Sequence, residues 1–322
     1  MHSGSNNTAV NSQARIGDHP LPIGTYAITL RRMQRLFIFF QYITPHHLLS
    51  RCTGFLADLE SPKWLKNWAI SQFIRVFKVD MGEACEPDYR RYPSFNDFFT
   101  RALRHAARPL ENADVLCPAD GTVSQMGDIR QGCLLQAKGR YFSTLELLGG
   151  DVNRARDFDG GSFATIYLSP RDYHRVHMPL AGRLIATTYI PGKLFSVNGV
   201  TAANVDGLFA RNERLVCYFE TEAGPMAMIL VGAMIVAGIE TVWSGRVAPP
   251  PRKPVSLDYR ELPGPVALDR GAEMGRFCLG STVILLFPAD SVTWRQDWST
   301  GSATRMGERL GDFAPADQTS SQ

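Results

Sequence analysis

The sequence predicts an α+β protein, a helical region over residues 30–110 followed by a β-rich domain over 111–310. Two observations carry this. Up to about Leu103 the apolar residues recur at helical spacing, whereas from about Val115 they fall in short runs divided by Gly, Pro, Asp and Asn. Hydrophobic residues make up 44% of 322, enough for one large or two ordinary cores.

Taken in order, residues 1–29 are read as a polar, disordered leader. Arg15 is the only Lys or Arg in its first twenty residues and no apolar centre follows, so a secretory signal is not expected. "LFIFFQYI" (36–43), preceded by Arg31, Arg32 and Arg35, is too short an apolar run to span a bilayer, which takes about 20 residues. In "SPKWLKNWAISQFIRVFKV" Ser61 is the expected N-cap and Pro62 the first helical residue. Leu65, Trp68, Ala69, Phe73, Val76 and Phe77 share a face, with Lys63, Lys66, Arg75 and Lys78 largely elsewhere. Such a face suits core packing, its commoner use, or an interfacial membrane helix. Ser94 and Asp97 read as a capping pair for a helix burying Phe95, Phe98, Phe99 and Leu103.

The strands expected next are "FATIYLSP", "RLIATTYIPG", "RLVCYFET", "PMAMILVGAMIVAGIETVW" and "TVILLF", with a turn at Gly224-Pro225. "APPPRKP" (248–254) reads as an extended surface loop, and residues 311–322 as a flexible tail.

The 34 Lys and Arg against 31 Asp and Glu leave +3, which gives no whole-chain case for nucleic acid. Cysteines 52, 85, 117, 133, 217 and 278 lack CxxC spacing and read as reduced thiols. Three stretches could carry chemistry. "YHRVH" holds His174 and His177, an i, i+3 pair that would share a metal on a helix but point to opposite faces of a strand; without HExxH or a third ligand, no metal is expected. "CPADGTVS" offers Asp120, which reads either as turn chemistry or as a carboxylate orienting a histidine. "LGST" offers Ser281 after Gly280, either a nucleophile or a glycine bulge entering a strand.

"PSFNDFFTRALR", "CPADGTVSQMG", "LLQAKG", "IYLSPRDYHRVHMPLAG", "IPGKLFSVN", "LFARNERLVCYFET", "VGAMIVAGIETVW" and "EMGRFCLGSTVILLF" together, in this order, resemble the phosphatidylserine decarboxylases, in the shorter membrane-associated bacterial form. The likeness runs from about Gln34 to Pro288. It implies a barrel- or sandwich-like catalytic domain, self-cleavage between Gly280 and Ser281 into chains 1–280 and 281–322, and conversion of Ser281 into a pyruvoyl cofactor. It implies an Asp120–His177–Ser281 charge relay for that cleavage, with His174 assisting decarboxylation as proton donor. Phosphatidylserine would join the pyruvoyl group through its amine as a Schiff base and leave as phosphatidylethanolamine. A homodimer on the cytoplasmic face of the inner membrane is the family's expectation, with membrane contact by Arg31 to Phe77. Cys278 is a position the family does not fix to cysteine, and reads as a packed small side chain. Two alternatives use the same residues: a serine hydrolase, which lacks a GxSxG elbow, and a non-enzymatic lipid-binding protein that would tolerate Ser281→Ala.

Overall fold

A computed structural model describes residues 23–234, 238–247, 253–278 and 281–315. Leu279, Gly280, most of the expected 248–254 loop and residues 316–322 of the expected tail lie outside them. The chain divides into a first unit, Met1–Tyr42, and a second, Ile43–Gln322.

The described part of the first unit is helix α1 (Ile23–Ile43) up to Tyr42, and it begins inside the segment expected to be leader. Its Leu36, Phe39 and Phe40 are exposed, as are Arg32 and Arg35. Among the described residues no helix is long and apolar enough to cross a membrane.

The second unit opens with helices α2 (His46–Asp58) and α3 (Lys63–Phe77) and a short α4 (Phe95–Phe99). The Ser94/Asp97 capping box is present, and Phe98 and Phe99 are buried; α4 stops at Thr100, so Leu103 lies beyond it in an isolated bridge to Ala84. One expectation for α3 is corrected. Pro62 is the N-cap, without a side-chain cap, and Lys63 is the first helical residue. The apolar face read as suited to core or membrane divides: Leu65, Trp68, Val76 and Phe77 are exposed, whereas Phe73 packs on Phe95, Phe98 and Phe99, and Ile70 beside it is buried against Ala57, Phe98 and Phe99. Lys66 is drawn inward because its ammonium donates to the carbonyls of Arg90 and Tyr92, and burial lowers its pKa. Spacing alone could not rank the two parts; the three-phenylalanine cluster of α4 selects the one that holds Ile70 and Phe73.

The β-rich part is an open antiparallel sheet of nine strands among the described residues, not a closed barrel. Its order is Val255–Asp258, Gly182–Ile190, Arg214–Thr221, Gly224–Gly232, Ser281–Phe287, Ser162–Leu168, Gly121–Asp128 and Ala303–Thr304, with Ala267–Leu268 also pairing Gly182–Ile190. The two edges do not pair with each other. A four-stranded sheet, Gly245–Arg246, Ile239–Thr241, Glu273–Phe277 and Arg175–His177, packs over it.

Ser281–Phe287 is the hub. It pairs along its length with Ser162–Leu168 and from Ser281 to Leu286 with Gly224–Gly232, and all seven of its residues are buried. Strands covered on both faces need apolar residues at every position, which "TVILLF" supplies after its first threonine. Val283, Leu285 and Phe287 meet Val176, Met274 and Phe277 of the smaller sheet. The last strand, Arg309–Phe313, runs two residues past the expected start of the tail, pairing with Val292–Trp294.

Candidate active site

Ser281 is the first residue of the hub strand, opposite Leu168 on one side and Gly232 on the other. Side chains alternate along a strand, so Ser281 shares the face of Val283, Leu285 and Phe287, the face covered by the sheet that carries His177. Its hydroxyl is fully buried and, like that of Thr282, has no hydrogen-bond partner among the described residues.

Asp120 sits at the same end of the main sheet. Thr122 is level with Tyr167, and Tyr167 with Thr282, so the Asp120 and Ser281 backbones are two strand spacings apart, about 10 Å. Gly121 allows this close packing, since a Cβ there would stand 2.2 Å from the Tyr167 carbonyl oxygen. The histidines arrive on the second sheet. His177 is tied by its backbone N–H to the Pro118 carbonyl at 2.8 Å, and the His174 carbonyl accepts from Phe277 N–H at 3.0 Å, four residues before Ser281.

The expected relay is not assembled here. The Asp120 carboxylate accepts from Arg108 Nε at 2.9 and 3.1 Å, from Arg108 Nη2 at 2.5 Å and from Met306 N–H at 2.9 Å, rather than from His177. The reason is electrostatic: Arg108 is itself buried, and a buried guanidinium needs a counter-charge. Glu83 supplies a second one at 2.7 Å, and that hydrogen bond lowers the Glu83 pKa.

His177 is oriented by a different acceptor. Its Nδ1 lies 2.8 Å from the Gly271 carbonyl oxygen and its Nε2 3.0 Å from the Tyr173 hydroxyl. A carbonyl only accepts, so Nδ1 carries the proton and Nε2 is the basic nitrogen. Burial depresses the His177 pKa, with Asp120 among the charges acting the other way. A neutral imidazole unprotonated at Nε2 is the form a general base requires, and here that lone pair accepts from the Tyr173 hydroxyl.

His174 faces another environment, as expected for i, i+3 residues of extended chain. Its Nδ1 donates to the Asp172 carbonyl at 2.8 Å, its ring lies 4.0 Å from that of Phe99, and its Nε2 has no partner. Burial pushes its pKa down to about 3. Neutral His174 therefore presents a bare acceptor at Nε2, so it must take up a proton before it can donate one.

Three neighbours were not singled out in the sequence: Tyr173 on His177, Arg108 on Asp120, and Arg101 beside His174. Tyr173 was adjacent to the histidine pair and could have been noticed. The two arginines carry no spacing signal, because chain reversals bring them in. Cys278, the residue nearest the expected cleavage bond on its N-terminal side among those described, is buried and its thiol donates to Glu240 at 3.4 Å; burial pushes its pKa up to about 12, in keeping with a packed, unreactive side chain. All six cysteines are free.

A family model described as phosphatidylserine decarboxylase matches residues 95–312, the stretch containing Asp120, both histidines and Ser281. The chain belongs to the phosphatidylserine decarboxylase family. A second family model, described as PSD, matches residues 36–78, covering the C-terminal end of α1 and the whole of α2 and α3. Among similar proteins, the phosphatidylserine decarboxylase proenzyme of Ectopseudomonas mendocina is 57% identical over 282 residues, 87% of this chain and 98% of that protein. That of Azotobacter vinelandii is 59% identical over 280 residues, 86% and 98% of the two chains. The family places the site's histidines, Asp120 and Ser281 within one matched region, while the relatives' name "proenzyme" speaks of a precursor form in those proteins.

Proposed function

We propose that the chain is a phosphatidylserine decarboxylase that cuts itself between Gly280 and Ser281 and converts phosphatidylserine to phosphatidylethanolamine and carbon dioxide. The observation that carries the reading is the position of Ser281, its hydroxyl wholly buried and without a partner among the described residues, at the start of the hub strand on the face covered by the sheet that carries His177.

For self-cleavage, His177 Nε2 takes the Ser281 proton as the serine oxygen attacks the Gly280 carbonyl carbon. The peptide C–N bond breaks and an ester forms. Elimination releases the Gly280 carboxylate and leaves a dehydroalanine at 281, which tautomerises and adds water to give a pyruvoyl ketone and ammonia. In this role the Tyr173 hydroxyl must yield its place on Nε2 to Ser281. Gly271 holds the tautomer, and Asp120 favours the imidazolium by charge from a short distance.

The fit of a pyruvoyl group at 281 rests on that environment: two acyl oxygens need few donors, and the apolar hub strand can hold them dry. Bound there, it would supply an electron sink for the carbon losing carbon dioxide. His174 is the proton carrier of the second reaction. Once protonated, its buried imidazolium would be a strong acid, suited to deliver a proton from Nε2 to the α carbon after carbon dioxide departs. The outward faces of α1, α2 and α3 would dock the enzyme on the lipid surface, with the cytoplasmic leaflet and a homodimer carried by family resemblance.

Intact-mass analysis with variants tests the scheme. Active protein is expected as two chains, 1–280 and 281–322, the smaller without a free N-terminal amine. Ser281→Ala and His177→Ala are expected to stay uncut, and His174→Ala to be cut but slow. A single uncut chain in active protein would overturn it.

A further inference from the structure

Three arginines are buried among the described residues, and two are fully accounted for. Arg108 is paired with Asp120 and Glu83. Arg214 donates to the carbonyls of Leu147, Asn212 and Glu146. Arg101 differs. It is only 4% exposed, makes one hydrogen bond, Nη2 to the Arg171 carbonyl at 3.2 Å, and leaves Nε and Nη1 without a partner. Its guanidinium carbon stands 5.5 Å from the Phe98 ring centre; among the described residues no carboxylate pairs with it directly, while Asp120, Asp172 and Glu83 act on it by charge from beyond ion-pair distance.

A buried guanidinium with two N–H groups left without acceptors is costly, and a ligand oxygen that accepts from them would complete it. Arg101 lines a polar cleft of about 310 Å³ in which Lys78, Arg108, Arg171 and Arg305 stand with the carboxylates of Asp80, Glu83, Asp120 and Asp172, two of which, Glu83 and Asp120, are already engaged by Arg108. The segment is clamped to the histidine loop: Arg175 Nε donates to the Thr100 carbonyl at 2.9 Å, and Phe99 packs on His174. The open guanidinium is thus held next to the proposed proton carrier.

We propose that Arg101 binds the phosphodiester of the substrate head group, a role that rests on the decarboxylase reading. The head group has two anions, and their fates differ. The carboxylate leaves as neutral carbon dioxide, so a cation holding its charge would stabilise the ground state and slow the reaction. The phosphodiester is unchanged throughout, and gripping it orients the amine and carboxylate without opposing bond breaking. Arginine suits a phosphate because its planar N–H groups match the oxygen geometry.

The test uses two-chain wild-type, Arg101→Gln and Arg101→Lys protein, each checked by intact mass. Competitors of phosphatidylserine turnover are glycerophosphocholine, a phosphodiester with neither carboxylate nor primary amine, inorganic phosphate and free serine. Binding of glycerophosphocholine is also measured directly by calorimetry. Cleavage is expected to persist, with KM raised and glycerophosphocholine binding weakened about 10- to 100-fold in Arg101→Gln, the range for losing a charge-assisted hydrogen bond. Arg101→Lys should fall between. Unchanged glycerophosphocholine binding with loss of serine competition would move Arg101 to the carboxylate and overturn the proposal. Competition by inorganic phosphate equal to that by the diester would also overturn it, as would both variants remaining uncut. If wild-type protein fails to turn over phosphatidylserine, the decarboxylase reading itself falls.

Discussion

The outward apolar face of α2 and α3 predicts a large effect from substitutions that touch nothing in the fold. Trp64 and Trp68 are 72% and 59% exposed, and Phe55 on α2 is 68% exposed. At roughly 200 Å² per aromatic side chain and about 25 cal/mol per Å², complete withdrawal of the two exposed indole surfaces from water is worth about 3 kcal/mol each. Interfacial helices sink their apolar side only partly into the acyl boundary, so half of that, about 3 kcal/mol for the pair, is the expected loss in Trp64→Gln/Trp68→Gln. That equals roughly 100-fold in vesicle partitioning. The measurement is flotation with vesicles containing phosphatidylserine and a neutral lipid, titrated to half-saturation. Thermal unfolding is the control, since exposed positions shift stability by only about 0.5 kcal/mol. An unchanged half-saturation point with an unchanged melting midpoint would refute the assignment of this face to the membrane.

Leu285→Ala in the hub strand, where the side chain is fully buried, should cost about 2–5 kcal/mol of stability, read as a lower urea midpoint. Arg108→Met should cost about 3–5 kcal/mol, because it strands the Asp120 and Glu83 carboxylates, and the double variant with Asp120→Asn should recover part of it. Stability should also fall with acid. His174 and His177 both have folded pKa values held below the unfolded value, which is about 6.5. Their contribution is present above pH 6.5 and is lost as pH drops toward the folded values, about 3 for His174. Between pH 6.5 and 5 the His174 share is about 2 kcal/mol; chemical denaturation of the His174→Gln variant should show a correspondingly shallower slope, and an identical slope would count against the burial argument.

The strand-rich half was legible because its apolar runs are short, β-branched and punctuated, so "FATIYL", "RLIATTYI" and "TVILLF" each coincide with a strand. The open sheet was not, since edge pairing depends on where distant strands end. α3 shows the limit of periodicity: both faces carry large apolar side chains, and only the position of α4 decides that Ile70 goes in while Trp68 stays out. At the site, Asp120, His174, His177 and Ser281 were legible as residue types in motifs. Their partners were not. Whether Asp120 meets His177 or Arg108 depends on a turn that returns a cation twelve residues away, and a backbone acceptor such as the Gly271 carbonyl leaves no trace in side-chain spacing.

Placing the proposed cleavage at the edge of the most deeply buried strand resolves a tension between chemistry and stability. A chain that cuts itself risks losing the piece it releases. Here the backbone ladder begins at Ser281 and continues to Phe287, with partners on both sides through Leu286, so breaking the bond before Ser281 removes none of those pairings. Val283, Leu285 and Phe287 face one core while Ile284 and Leu286, also buried, face away from it, and withdrawing them would expose five large side chains at about 1.5–3 kcal/mol each. Cleavage at that point changes the covalent state of residue 281 while the sheet keeps its position. The same burial that retains the product chain encloses the Ser281 side chain, so the water that the proposed conversion of residue 281 consumes must be admitted to that end of the strand after the bond is cut.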